Sequence, residues 1–275
     1  MIFRKLIGYI KDPLKYLILC FLKIPFNYDH YELLELRAAK AQGKGFGSAT
    51  IQTEVKSCLK LIGFRPQNFI DIGANKGKFT KEVLKYLPNI ECHLFEPSKI
   101  NLQILKEEFS RNKNINIQNY GLFNKNTFKE FYSDYPGSGL GSLSKRRLDH
   151  HDIEFKFDNK IELKRFDEYW LEIYPNENKE IDFVKIDVEG YEMEVLEGFG
   201  KLIKRAKLIQ FEFGTPAIDS RMFFQDFWYF FLKRNFELYR LTPNKDLTYK
   251  INSYSELHEF FITTNYIAIN KETDF

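Results

Sequence analysis

A chain of 275 residues exceeds the usual size of one small domain and suffices for one large α/β domain with an extension. Its 41 basic and 38 acidic residues leave a net charge of +3, too balanced to indicate a nucleic-acid partner; 44% hydrophobic and 17% aromatic residues exclude a disordered or fibrous chain. Three cysteines at unrelated spacings, Cys20, Cys58 and Cys92, suggest neither a disulfide framework nor a zinc site, and a reducing cytoplasm fits them best.

Residues 1–60 read as a helical N-terminal extension and residues 61–275 as the main domain. The apolar run Leu14–Ile24 is interrupted by Lys15 and Lys23 and is followed by no small-residue cleavage site, so it is neither a spanning helix nor a signal peptide. Its bases, Arg4, Lys5, Lys11, Lys15 and Lys23, face one acid, Asp12. That pattern suits peripheral contact with the inner face of the membrane, or a helix packed on the domain or on a partner subunit of an oligomer. The helical pattern breaks at Gln42–Thr50, where Gly43, Gly45 and Gly47 make a flexible or close-approach loop.

From Asn68 the texture changes. "NFIDIG" predicts a short buried strand, and Lys78–Leu87 a helix with Phe79, Val83, Leu84 and Leu87 on one face, stopped by Pro88. "ECHLFEPS" is a second strand ending in a turn, and Ser98 N-caps a second helix. "INIQNYGLFN" reads as a third strand and "TFKEFYSDY" as a hairpin arm, followed by a mobile loop, Ser133–Asp152, with the bases Lys145, Arg146 and Arg147. "KIELKRF" predicts a strand leading to a short helix near Asp167–Ile173, then "IDFVKIDVEG" a fourth buried strand meeting the helix "YEMEVLEGF". "AKLIQFEFG" is a fifth strand, Asp219–Arg234 one aromatic helix, and "FELYRLT" and "NYIAIN" are strands that suit an antiparallel pair at the sheet edge. Strands alternating with helices imply parallel pairing through right-handed crossovers, with helices on both faces of one sheet.

In such a sheet, ligands bind beyond the carboxyl ends of the strands. "DIGANKGKFT" sits at such an end: Gly73 and Gly77 let backbone approach a ligand, and Asp71 offers a carboxylate from the strand tip. The spacing G-x-x-x-G is not the G-x-G-x-x-G of dinucleotide binders, which disfavours a nicotinamide-dependent enzyme. At the end of the second strand, Glu96 is placed to accept both hydroxyls of an unphosphorylated ribose, and Pro97 turns the chain.

"FIDIGANKGKFT", "LFEPS", "FVKIDVEGYEMEVLEGF" and "IQFEFG", in that order, resemble the FkbM-type methyltransferases, a branch of the class I S-adenosylmethionine-dependent enzymes. The resemblance covers Asn68–Phe213. It implies a Rossmann-like α/β sandwich with a seven-stranded, mostly parallel sheet and an antiparallel last strand. It further implies S-adenosyl-L-methionine as methyl donor and oxygen as the usual acceptor, on a sugar, glycan or related small molecule. Carried over, Asp71, Gly73, Ala74, Asn75, Gly77 and Phe79 would hold the amino acid end of the cofactor. Glu96 and Pro97 would meet the ribose, and Asn119, Tyr120 and Gly121 would flank the adenine in place of the acid many relatives carry there.

A hydroxyl acceptor needs a general base or a metal near the transferred methyl. "KIDVEG" offers Asp187 and Glu189, and "FEFG" offers Glu212, all at strand tips. Three converging carboxylates either raise one another's pKa, giving a base, or bind a divalent cation; a base or substrate-binding role is favoured over the cation, since no histidine completes a ligand set. His150 and His151 lie in the loop and act as base only if it folds over the site. The alternatives are a methyltransferase acting on nitrogen or lipid, and a noncatalytic nucleotide-binding module, which would not require the three carboxylates.

Overall fold

The structure is a computed structural model that describes residues 28–45, 50–175, 179–243 and 248–272. The run Leu14–Ile24 and its basic flank lie outside the described residues. The chain divides into two compact units, Met1–Ala39 and Lys40–Phe275. Helix α1 (Tyr28–Ala41) supplies the described part of the first; Asp29 in its first turn and Lys40 in its last complement the helix dipole. The second unit takes in the whole of α2 (Ile51–Ile62), a helix that a division at residue 60 would cut near its end. Thr50 caps α2 by accepting from the Thr53 N–H, and Gly63 closes it at φ 73°. Among the described residues no helix is long and apolar enough to cross a membrane.

In chain order the second unit continues with β1 (Asn68–Ile72), α3 (Lys78–Tyr86), β2 (Glu91–Phe95), α4 (Lys99–Glu108), β3 (Ile115–Gln118), β4 (Gly121–Leu122) and β5 (Thr127–Ser133). There follow β6 (Arg147–Leu148), β7 (Ile153–Glu154), β8 (Lys156–Lys164), α5 (Phe166–Ile173), β9 (Ile181–Ile186), α6 (Glu192–Gly198) and β10 (Ala206–Phe213). Last come α7 (Pro216–Ser220), α8 (Phe224–Leu232), β11 (Phe236–Leu241), β12 (Thr248–Ile251) and β13 (Thr264–Asn270).

One eight-stranded sheet runs in the order β12-β11-β13-β10-β9-β1-β2-β3. The pairs from β3 through β10 are parallel, while β13 runs antiparallel to both β10 and β11. The fold class is therefore the predicted one with two refinements. The β11–β13 pair forms, but β13 is interior rather than at the edge; the edge is β12, an eighth strand that pairs antiparallel with β11. Its four residues, TYKI, fall in a stretch with no long pattern, too short for periodicity to register.

Three other elements depart from the sequence reading. "INIQNYGLFN" is not one strand: Asn119 donates its side-chain N–H to the carbonyls of Glu96 (3.1 Å) and Pro97 (3.2 Å), the chain turns, and β4 joins a separate sheet, β4-β8-β5. "KIELKRF" belongs to that smaller sheet, as the antiparallel partner of β5. The aromatic stretch Asp219–Arg234 breaks at Arg221, whose φ of 62° ends α7.

Each face of the large sheet carries its own core. Phe69, Phe183, Leu208 and Ile267 point to the side covered by α2, α3 and α4, where Val55, Val83 and Leu105 meet them. Ile72, Ile186, Phe211 and Tyr266 point to the other side, covered by α5, α6 and α8. One face of the aromatic-rich α8 is core: Phe224, Phe227 and Phe231 are buried, and Phe227 stacks on Phe211 at 4.9 Å.

Candidate active site at the carboxyl edge of the sheet

On the α2 side the strands build three successive rungs towards their carboxyl ends. The first is apolar, with Phe69 and Phe183 rings 4.8 Å apart. Asp71, Lys185 and Gln210 stand in register across β1, β9 and β10 to make the second. Two residues on, Asp187, Glu212 and Asn265 form the third, with Glu212 directly opposite Asn265 in the β10–β13 ladder.

Above these tips lies a cavity of about 360 Å³, walled by Ile51 and Glu54 of α2, the turn from Gly73 to Phe79, the three tip residues and Tyr135. A second cavity, about 70 Å³, runs between Glu96–Pro97, Gly121–Leu122, Leu163 and Val188. Gly73, Asn75, Gly139 and Asp187 line both, so the two adjoin as one elongated crevice.

Gly73, Asn75 and Gly77 all adopt positive φ, at 79°, 49° and 73°. A Cβ at Gly73 would lie 1.9 Å from the Asp187 carbonyl oxygen, and one at Gly77 would lie 2.6 Å from the Phe109 ring. The protein's own β9 backbone and helix α4 thus impose these glycines; ligand approach, the reason expected from the sequence, is not what excludes the side chains. Gly77 leaves the N-terminus of α3 without a side-chain cap, and Lys78 and Phe79 of its first turn line the cavity.

Of the residues expected at a cofactor, Gly73, Ala74, Asn75, Phe79, Glu96, Pro97 and Gly121 line the crevice. Asp71 does not: it is fully buried beneath the turn, accepting from Thr80 Oγ1 at 2.6 Å with Lys185 Nζ at 3.8 Å. Gly77 sits behind the wall, against α4. Tyr120 packs into the core beside Phe95, and Asn119 braces the Glu96–Pro97 backbone instead of lining the crevice. Glu96 accepts from the N–H groups of Asn75 and Ser98, each at 2.8 Å. Burial nevertheless pushes its carboxyl up to about 7.

The three carboxylates occupy different environments. Asp187 pairs with Lys185 Nζ at 3.1 Å. Burial opposes the Lys185 charge, but Asp187 and Asp71 outweigh it and raise its pKa. Glu189, at φ 55°, meets Arg146 Nη1 at 2.7 Å; burial and Asp187 push it up to about 8, Arg146 opposing. Glu212 has no ion-pair or hydrogen-bond partner among the described residues, and burial together with Asp187, Glu189 and Glu192 holds its carboxyl well above the ordinary range. Of the three, Glu189 and Glu212 are thus raised, with the charge of Asp187 contributing to both. Among the described residues no group of His, Cys, Asp and Glu is placed to hold a metal ion; the Lys185 ammonium stands between Asp71 and Asp187.

Sequence reading missed Lys185, Gln210, Asn265 and Glu54. Lys185 and Gln210 carried a signal, each a long polar residue set between apolar neighbours within a strand. Asn265 carried none, since its neighbour Glu212 is set by register between distant segments. The basic cluster divides: Arg146 is buried between Glu189 and Asp219, while Arg147 is exposed. His150 and His151 are exposed on a short turn and line neither cavity.

No curated protein matches the chain in sequence. Solved structures that resemble it include an O-methyltransferase from Bacillus cereus in complex with SAH (12% identity, 92% of this chain and 96% of that one, TM-score 0.43). A TehB-like SAM-dependent methyltransferase from Corynebacterium glutamicum is similar at 12% identity over 88% of this chain and 97% of that one, TM-score 0.39. So is precorrin-6y C5,15-methyltransferase from Geobacter metallireducens, at 10% identity over 80% and 87%, TM-score 0.39. Residues 71–238 match the family described as the methyltransferase FkbM domain, a stretch that runs from the end of β1 through the Glu96 turn and takes in all three carboxylates. The chain belongs to the FkbM family of S-adenosylmethionine-dependent methyltransferases.

Proposed function

We propose that this enzyme methylates a hydroxyl oxygen of a sugar, glycan or related small-molecule precursor, with Glu212 as the general base. The observation that carries the reading is Glu212 itself: a carboxyl at the cavity wall, free of ion-pair partners among the described residues and made more basic by burial and by its acidic neighbours, suits a group that takes a proton from an acceptor hydroxyl.

The crevice fits the donor. Glu96 faces the second cavity beside the buried, unpartnered Oδ1 atoms of Asn75 and Asn101, three acceptors suited to ribose hydroxyls and an amine. The uncapped N-terminus of α3 suits a carboxylate, and the apolar slot of Leu122, Leu163 and Val188 suits a purine. When bound, S-adenosylmethionine supplies an electrophilic methyl on a positively charged sulfur. Lys185 fixes Asp187 at the junction of the two cavities, so Asp187 orients the acceptor hydroxyl while Glu212 accepts its proton.

The test is transfer of label from S-adenosyl-[methyl-³H]methionine to a panel of sugars, amines and lipids. Label on sugar oxygen is expected; label confined to amines or lipids would overturn the assignment.

A further inference from the structure

Within the large cavity, the donor-side wall comes from the turn and tips inside residues 71–238, the stretch shared with the family. Ile51, Glu54 and Asn265, on the far side, lie outside that stretch. A family keeps its donor and varies its acceptor, so the outlying wall is where acceptor recognition belongs.

Asn265 stands out in that wall. It is 8% exposed, lines the cavity, and its side-chain amide makes no hydrogen bond among the described residues. Its ladder partner is Glu212, and side chains directly opposite in an antiparallel pair stand on one face with Cβ atoms about 5 Å apart. The carboxyl and the amide therefore reach the same volume side by side. An amide both donates and accepts, which matches a hydroxyl; a phosphate would want only donors and an ammonium only acceptors.

We infer that Glu212 and Asn265 form a two-point clamp for a vicinal diol, which makes Asn265 a specificity-determining residue. This rests on the assignment of Glu212 as base. Glu212 accepts the proton of the hydroxyl that is methylated, and Asn265 pairs the oxygen on the adjacent carbon. An acceptor with one isolated hydroxyl would leave a nearly buried amide unpaired, and sites built to bond a second hydroxyl reject such analogues strongly.

The clamp is tested with S-adenosyl-[methyl-³H]methionine and matched probes: cyclohexane-1,2-diol and methyl glycosides against cyclohexanol and the corresponding deoxyglycosides. Diols are expected to exceed mono-ols about 10²-fold or more in kcat/KM. Asn265→Leu should raise KM for diols about tenfold or more, leave kcat within a few fold and shrink the diol preference, with Asn265→Asp retaining part of it. Glu212→Gln should instead lower kcat on both probe classes. Calorimetry with S-adenosylhomocysteine, expected unchanged in the Asn265 variants, shows that they fold. Equal use of mono-ols, no transfer to any diol, or an unchanged preference in Asn265→Leu would overturn the clamp. Label passing only to amines would instead overturn the hydroxyl reading beneath it.

Discussion

With the proposed ribose role, Glu96 would couple donor affinity to pH. Its carboxyl is held up to about 7, and only the ionised form accepts two ribose hydroxyls, so S-adenosylhomocysteine should bind more tightly as pH rises through 7 and level off above it. Calorimetry from about pH 5.5 to about pH 8.5 reads this directly, and a flat profile contradicts the ribose assignment. Glu96→Ala should cost roughly 1–3 kcal/mol of binding through two lost hydroxyl contacts. The sequence makes such residues legible because a strand end followed by a turn marks Glu96, Asp187 and Glu212 as tips. It hides Asn265 and assigns Asp71 to the wrong layer, since whether a tip residue faces the crevice or the sheet depends on register and on what packs above. Gly73 shows the same limit: its need for glycine is legible, its cause, the Asp187 carbonyl, is not.

At the scale of elements, the connection from β5 to β6 lines the crevice as a loop between two strands. Tyr135, Ser138, Gly139, Gly141 and Leu143 line the cavities, and Ser142 Oγ donates to the Glu189 carbonyl at 2.8 Å. Hydrogen exchange in residues 135–143 should slow on adding S-adenosylhomocysteine; unchanged exchange there would contradict closure over the donor. Arg146 anchors this connection, and Arg146→Ala leaves Glu189 buried without its counterion. Breaking such a pair costs about 3–5 kcal/mol when fully buried, less here because Glu189 retains some exposure. A thermal midpoint unchanged by that substitution would show that the ion pair does not hold the connection. Helices with a strong apolar face and buried strands were legible as elements. β12 and the break at Arg221 were not, because the first is too short for a period and the second is a local backbone choice inside a uniformly aromatic run.

For the whole molecule, the acids gathered at the sheet edge tie stability to pH. Glu96 and Glu192 are raised to about 7 and Glu189 to about 8, from an unfolded value of 4.5, chiefly by burial. Between those values the folded chain keeps protons that the unfolded chain has released, so stability falls as pH rises through that window. The thermal midpoint of the free protein should be lower near pH 8 than near pH 5; a midpoint that climbs over the same range would contradict the buried-acid description. Asp187, the other carboxylate at the junction, offers a comparison: as an orienting group, Asp187→Asn should slow transfer with donor affinity kept within a few fold. The most direct test of the whole account is Glu212→Gln, measured for methyl transfer to an oxygen acceptor and for donor affinity on the same preparation. The account predicts a fall in kcat of about 10²-fold or more, the range for losing general-base catalysis, with donor affinity within a few fold. Near-normal turnover by that variant would contradict it.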